Sequence, residues 1–283
     1  MIPSVSAINM YDINLNSWDE FEKQLKSLEN ERLQQKCSSK FLYRGQGDYT
    51  LNLLTTLERN GQERLPLKEY HRLISAVKPQ IESFTGVNWN ILSYPHGIEK
   101  WLKENGALIP DTFGWSPEFQ DTYSYMAYLR HYGFPSPFLD WTSSPYIAAY
   151  FAFRQASRCE KNVSIYVYLE STSEFGQRNR CRDEPHIYKF GPYVRTDRRH
   201  FLQQCQYTIC IIGDGEWRYA RHEKAFSRCA PNQDILWKCN IPYSERLNVL
   251  KLLDGYNINA LSLFGAEESL METMALREIH FKR

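Results

Sequence analysis

Apolar residues recur at helical spacing in five segments of the chain. The clearest begins at Ser17, an N-cap residue followed three positions later by Glu20, and predicts a capping box and a helix that continues to Gln35. Four more helices are predicted over 67–84, with a kink at Pro79, and over 119–132, 244–253 and 267–279.

Shorter apolar stretches predict strands between these helices. They lie at 41–44, 138–141, 164–170, 207–212 and 235–239, and 259–264 is a short strand or turn. No repeat, low-complexity segment or linker divides the chain, so we predict one α+β domain over 41–283, with 1–40 as an N-terminal helical segment packed on it. Residues 86–117 are rich in Trp, Gly and Pro and are predicted to form an insertion or lid.

The stretch from His131 to Pro145 combines a turn, a strand and the start of a helix. Its glycine and prolines predict a shaped loop, and Ser144 before Pro145 predicts an N-cap. A strand that ends at a helix N-terminus presents free N–H groups and hydroxyls to a polar or anionic ligand. Alternatively, Asp140, Thr142 and Ser144 only cap the helix, with Trp141 and His131 packed beneath it.

A second candidate site feature is Arg44. It ends the apolar run from Phe41 and precedes Gly45 and Gly47, so its guanidinium is predicted to reach a loop that a ligand approaches closely. An arginine in that position can form two parallel hydrogen bonds to a phosphate or carboxylate. The alternative is an ordinary ion pair with one of the acidic residues.

Composition limits the functions that the chain can perform. Over 283 residues the formal net charge is only +1, so no global field attracts nucleic acid or membranes. The local basic cluster is Arg195, Arg198 and Arg199, which is either a solvated face or a phosphate-binding patch.

The cysteine pattern bears on metals and on the cellular compartment. The seven cysteines include no CxxC pair, and no two histidines have ligand spacing, so we expect no metal site and a reducing, cytoplasmic environment. Without a signal peptide or an apolar span near twenty residues, no membrane association is expected.

Four sequence blocks together resemble the FRG domain family. They begin at Phe41, His131, Arg199 and Ile258, they occur in the family's order, and the block at His131 is the most specific. The block layout is in turn similar to the ADP-ribosyltransferase fold of the Arg-Ser-Glu type. This resemblance implies a mixed, split β-sheet core with helical insertions, and NAD as the substrate.

The resemblance also implies roles for individual residues. Arg44 would hold the NAD phosphates, and the hydroxyls of Thr142 and Ser143 would position the nicotinamide ribose. The remaining candidate NAD-binding residues lie beside these in the two blocks: Gly45, Gln46, His131, Tyr132 and Trp141. For His131, a structural bond to the loop backbone is the alternative.

The sequence departs from those transferases at the catalytic glutamate. Gln203, Gln204 and Gln206 occupy that region, and a glutamine can bond a ribose but cannot stabilise positive charge as a carboxylate does. The candidate catalytic residues are therefore Asp140, Glu268 and Gln204, with Glu267 beside Glu268.

Two functional hypotheses follow. The first is an NAD-dependent ADP-ribosyltransferase-like effector, a toxin component of bacterial anti-phage defence or of a toxin–antitoxin system. It would modify a protein or nucleic acid, and an antitoxin protein would inhibit it. The alternative is a non-catalytic sensor module that binds a nucleotide or phage component in the same cleft.

Overall fold

Eight strands form one mixed sheet in the described part of the chain. The computed structural model describes residues 9–91, 117–156, 161–174, 183–190, 198–226 and 234–282. The strands are β1 (Met10–Asn14), β2 (Leu42–Gln46), β3 (Leu139–Thr142), β4 (Asn162–Leu169), β5 (His186–Phe190), β6 (Cys205–Ile212), β7 (Arg218–Tyr219) and β8 (Ile235–Pro242). Their order is β1-β8-β4-β2-β3-β6-β5, with β7 paired to β6. The β1–β8 pair is parallel and the other pairs are antiparallel.

Ten α-helices accompany these strands in the described ranges. They are α1 (Trp18–Gln34), α2 (Thr56–Arg59), α3 (Leu67–Thr85), α4 (Pro117–His131), α5 (Pro145–Gln155), α6 (Arg198–Leu202), α7 (His222–Ala225), α8 (Arg246–Gly255), α9 (Ala260–Phe264) and α10 (Glu267–Ala275). A 3₁₀ turn at Tyr243–Glu245 precedes α8, and a π turn at Leu276–His280 follows α10. Within these ranges no helix combines the length and apolarity that a membrane crossing requires.

Side-chain caps explain where several helices begin. The hydroxyl of Ser17 accepts from the backbone N–H of Glu20, as predicted, whereas the Glu20 carboxylate accepts from the N–H of Asn16 and not of the cap residue. Ser144 accepts from the N–H of Ile147, which confirms the predicted start of α5.

Several sequence predictions need correction. The segment 259–264, predicted as a strand or turn, is the helix α9, because Asn259 and Ser262 form a reciprocal capping box. Strands β1, β5 and β7 were not predicted. Helix α3 continues through Pro79, in agreement with the predicted range 67–84. Most of the predicted 86–117 insertion lies outside the described residues, although Trp89 packs against Tyr125 and Tyr128 of α4.

Two groups of helices cover one face of the sheet. Helices α1, α5 and α8 pack over β4 and β8 in one apolar cluster, and α3 and α4 pack over β5 and β6 in another. Strand register places both clusters on the same face, because Tyr43 lies opposite Thr142 and Asp140 lies opposite Tyr207. A third apolar cluster, which includes Trp141, Tyr166 and Leu236, covers the opposite face.

Strand pairing in the sheet is shortest between β2 and β3. These strands share only the pair Tyr43–Thr142, whereas β2 has five residue pairs with β4 and β3 has four with β6. Beyond that pair, the Arg44 guanidinium donates to the backbone carbonyl of Asp140 at 2.7 Å. The predicted α+β domain with a mixed sheet is thus confirmed for the described strands, and that sheet opens between β2 and β3.

Gly45 allows α5 to lie directly on β2. A Cβ atom at this position would stand 1.9 Å from the carbonyl oxygen of Ala148 and 2.6 Å from the backbone nitrogen of Ala152. Both obstacles are helix backbone, which cannot rotate away as a side chain can. Glycine is thus required here for close approach of helix and strand.

We expect Gly45→Ala to lower the free energy of unfolding by about 2 kcal/mol, because α5 must move off β2. Chemical denaturation monitored by circular dichroism measures this change. Gly255→Ala is the matched control, since a Cβ at Gly255 meets no atom within 4 Å. Equal stability of the two variants would contradict the close-approach argument.

Candidate functional site

A cavity of about 780 Å³ lies where β2 and β3 separate. Its walls come from β2 and the loop that follows it, the end of α4, β3, and the inner side of α5. This volume falls within the range of small-molecule and cofactor sites, roughly 300–1,000 Å³. The weak strand junction and the cavity are therefore the same structural feature.

Arginines surround one carboxylate in this cavity. Arg130 Nη2 lies 2.6 Å from Asp140 Oδ2, and Arg44 bonds the backbone carbonyl of the same aspartate. Arg59, from α2, also lines the cavity and donates to the carbonyl of Leu54 at 3.2 Å. The guanidinium groups outnumber the two carboxylates, Asp140 and Asp48, that line the same cavity, which leaves an excess of positive charge.

Buried polar atoms of these same residues have no hydrogen-bond partner in the described part of the chain. They are Arg44 Nε, Arg130 Nε and Asp140 Oδ1. Buried donors and acceptors are rarely left unpaired, and three in one site indicate a place for a polar ligand. Two of the three are donors on cations, so the ligand expected here carries negative charge.

The electrostatic environment of Arg44 supports the same conclusion. Burial lowers the pKa of Arg44, Arg130 lowers it further, and Asp140 acts in the opposite direction. An arginine nevertheless stays protonated in a protein at neutral pH. The guanidinium is therefore a cation held partly out of water, and a bound anion would stabilise it.

Aromatic side chains line another wall of the cavity. Phe151 of α5 and Phe264 of α9 meet edge to face at 6.0 Å, and both contribute to the lining. The guanidinium of Arg154 lies over the Phe264 ring at 4.7 Å and also pairs with Glu272 at 2.6 Å. These rings provide an apolar surface on which a planar heterocycle can stack.

A buried chain of hydrogen bonds fixes β3 from the opposite face. Trp141 Nε1 donates to Thr208 Oγ1 at 2.8 Å, and that hydroxyl lies 3.0 Å from His222 Nε2. Burial lowers the pKa of His222 from 6.5 to about 3, so the ring is neutral at pH 7. The bond to Thr208 fixes the Trp141 indole on the face of the sheet opposite the Asp140 and Thr142 side chains.

The structure brings most of the predicted ligand-binding residues together. The predicted residues that line the cavity are Arg44, Gly45, Gln46, His131, Asp140, Trp141 and Thr142. Arg44 was predicted to be the last residue of its strand. Strand β2 continues to Gln46, so the Arg44 side chain extends from within the strand.

Four other predicted residues do not line the cavity. Tyr132 is exposed and packs on Tyr128, and Ser143 is exposed while its backbone N–H donates to the Gln204 carbonyl. Gln204 adopts a left-handed backbone conformation with φ 49° between α6 and β6, and its side chain is exposed. Its neighbour Gln203 lines the cavity instead, and Glu268 is exposed in the first turn of α10.

The predicted basic patch is only partly described. Arg195 lies outside the described residues. Arg198 is exposed on α6, and Arg199 lies 5.9 Å from the centre of the Phe264 ring. Arg59 and Arg130, by contrast, were not predicted as site residues, because neither belongs to a recognisable motif and only folding brings them to the cavity.

The family comparison falls on this same region. Residues 39–161 match the sequence profile of the FRG domain family. The chain contains an FRG domain. The match covers β2, β3 and helices α2 to α5, so Arg44, Arg59, Arg130 and Asp140 all lie within the FRG domain. No curated protein and no solved structure matches the chain significantly.

His222 should make the protein sensitive to acid. Between pH 6.5 and about 3 the unfolded chain binds a proton at this histidine and the folded chain does not, so stability falls as the pH falls. We expect the free energy of unfolding to fall by about 1–2 kcal/mol between pH 7 and pH 5 from this residue. Urea titrations at both pH values measure it.

Two variants isolate the contribution of His222. His222→Gln should flatten the pH dependence, whatever it costs in stability at pH 7, because the titrating ring is gone. His280→Gln replaces an exposed histidine and should keep the wild-type slope. An unchanged slope in His222→Gln would refute the assignment.

Proposed function

We propose that the FRG-domain cavity binds NAD and that the protein is an NAD-dependent ADP-ribosyltransferase-like enzyme. The observation that supports this most directly is the convergence of Arg44, Arg59 and Arg130 on one cavity, in which the Asp140 carboxylate pairs with Arg130. Guanidinium groups recognise phosphate oxygens with two parallel N–H bonds, and the diphosphate of NAD carries such oxygens.

The remaining walls suit the other parts of a dinucleotide. The unpaired Nε atoms of Arg44 and Arg130 are available for phosphate oxygens, and the Phe151 and Phe264 rings offer a stacking surface for a base. Thr142, at the end of β3, lines the cavity and supplies a hydroxyl for a ribose, as the resemblance implies.

Transfer requires a group that stabilises positive charge. When the bond between the ribose C1′ and the nicotinamide nitrogen breaks, nicotinamide leaves with the electron pair and the ribose becomes oxocarbenium-like. A target nucleophile then attacks C1′ and loses a proton. Asp140 is the candidate for stabilising the ribose, because its Oδ1 is buried beside the cavity with no partner among the described residues.

One observation favours the alternative of a non-catalytic nucleotide sensor. The other oxygen of Asp140 lies 2.6 Å from Arg130, and that ion pair neutralises much of the charge that would act on an oxocarbenium ion. Binding of a nucleotide depends on the arginines and would survive this neutralisation.

The wider setting follows from the enzymatic proposal. An NAD-consuming transferase of this kind would act in the cytoplasm on a protein or nucleic-acid target. In an anti-phage or toxin–antitoxin system, an inhibitory antitoxin protein would keep it silent until it is needed.

Arg44→Lys should weaken NAD binding at least tenfold, because lysine keeps the charge but loses the planar fork. Isothermal titration calorimetry measures the affinity, and circular dichroism verifies that the variant folds. Arg64→Gln is the control, since Arg64 pairs with Asp214 on the surface away from the cavity and should bind as wild type does.

Ligand fragments test whether the diphosphate is what the cavity recognises. ADP-ribose should compete with NAD, whereas nicotinamide and adenosine, which lack phosphate, should not. Equal affinity of wild type and Arg44→Lys, or equally strong binding of adenosine, would contradict the proposed role of the arginines.

Asp140→Asn should reduce nicotinamide release from NAD at least about 100-fold, while NAD affinity changes only a few-fold. Asparagine keeps the shape and loses the charge. Asp48→Asn is the control, since Asp48 also lines the cavity but its carboxylate accepts from the backbone and hydroxyl of Thr50. If wild type binds NAD and releases no nicotinamide, the sensor alternative replaces the transferase.

A further inference from the structure

Three side chains of types that can bind a metal ion lie close together beside the cavity. They are His131 at the end of α4, His200 in α6 and Cys205 at the start of β6, and one ligand atom of each lies within 4.8 Å of the others. The residues are 69 and 5 positions apart along the chain, which is why motif spacing in the sequence predicted no metal site. The juxtaposition arises only from the fold.

Tyr207 supplies a fourth donor atom at the same place. Its hydroxyl oxygen lies 2.7 Å from His131 Nε2 and 3.2 Å from His200 Nδ1. Tyr207 is two positions after Cys205 along β6, with Gln206 between them, so both side chains leave the strand on the same face. Four donor atoms from four side chains therefore surround one small volume.

The spacing of these atoms is close to that of a tetrahedral site. With Zn–N distances of about 2.0–2.1 Å and a Zn–S distance of about 2.3 Å, neighbouring donor atoms stand about 3.3–3.7 Å apart. The tyrosine oxygen is slightly too near His131 Nε2, and the ligand atoms of His131, His200 and Cys205 lie within 4.8 Å of one another. Side-chain rotations that shorten the longer separations would bring these atoms to a common metal ion.

We propose that His131, His200, Cys205 and the Tyr207 oxygen bind one Zn²⁺-class divalent cation. Imidazole nitrogen and thiolate sulfur are ligands typical of zinc, whereas calcium and magnesium prefer oxygen ligands. The site adjoins the large cavity, because His131 and Cys205 also line it, so an ion has a route of entry.

The nearby charges are compatible with a cation. Asp140 pairs with Tyr207 across β3 and β6, so its carboxylate lies on the same face of the sheet as the cluster. Metal binding would displace the thiol proton of Cys205, which gives the site a negative charge of its own. The proposed ligands do not include Arg44, Arg59 or Arg130, and zinc can be tested without NAD, so this proposal can fail or succeed independently of the proposed function.

The test begins with the wild-type chain stripped of metal by a chelator and dialysed. We expect it to take up one Zn²⁺ per chain, measured by atomic emission, and to show a thiolate-to-cobalt charge-transfer band when titrated with Co²⁺. Zn²⁺ should also raise the melting temperature, because a ligand bound only to the folded state stabilises it.

Variants then assign the ligands. His131→Gln, His200→Gln and Cys205→Ser should each weaken Zn²⁺ binding at least tenfold, and Cys205→Ser should abolish the cobalt band. The controls are Cys37→Ser, a buried cysteine in a different apolar cluster, and the exposed His280→Gln, which should bind as wild type does. Circular dichroism verifies that each variant is folded.

The outcomes are decisive even where a variant does not fold. A wild-type chain that retains no Zn²⁺ and shows no cobalt band overturns the proposal without any variant. Loss of metal in Cys37→Ser as well would also overturn it, because the cluster would then not be the site. None of these measurements uses NAD, so failure here leaves the proposed function standing.

Discussion

The opening between β2 and β3 is the constraint on which the site depends. A sheet joined by a single residue pair would leave backbone groups unpaired at its centre, and the Arg44 guanidinium takes up one of them, the carbonyl of Asp140. The same side chain therefore joins the two halves of the sheet and supplies charge to the cavity that their separation creates. Gly45 lets α5 lie against β2 at this level, which closes the cavity on one side.

The charges of the cavity follow from this arrangement. Arg44 is held in place by backbone on one side, Arg130 approaches from the end of α4, and Asp140 stands between them. The carboxylates in the lining are fewer than the guanidinium groups, and the Nε atoms of Arg44 and Arg130 have no partner among the described residues. The folded chain thus holds donors for an anion in fixed positions before any ligand arrives, so little conformational entropy is lost on binding.

The sequence predicted local features better than the assembly of the site. Ser144 and Pro145 predicted the start of α5 because capping depends on neighbouring residues alone. The short strand predicted at 138–141 is β3, Leu139–Thr142. The FRG family was predicted from four blocks spread over most of the chain, and the profile matches residues 39–161, which hold the blocks at Phe41 and His131. No local pattern predicted Arg59, Arg130 or the cluster around Tyr207, because their residues come from separate elements. Gln204 was predicted as the site residue, but Gln203 lines the cavity, because the left-handed backbone at Gln204 turns the chain there.

The role of Asp140 depends on which anion Arg130 pairs with. In the structure Arg130 pairs with the carboxylate, and this weakens Asp140 as a stabiliser of positive charge. A diphosphate placed beside the unpaired Nε of Arg130 would compete for that guanidinium, since phosphate and carboxylate both bind it in the same bidentate manner. If the phosphate displaces the carboxylate from Arg130, the negative charge of Asp140 is no longer compensated and can stabilise the ribose. The transferase and the sensor thus differ in whether a phosphate or Asp140 pairs with Arg130, and the rest of the cavity suits either function.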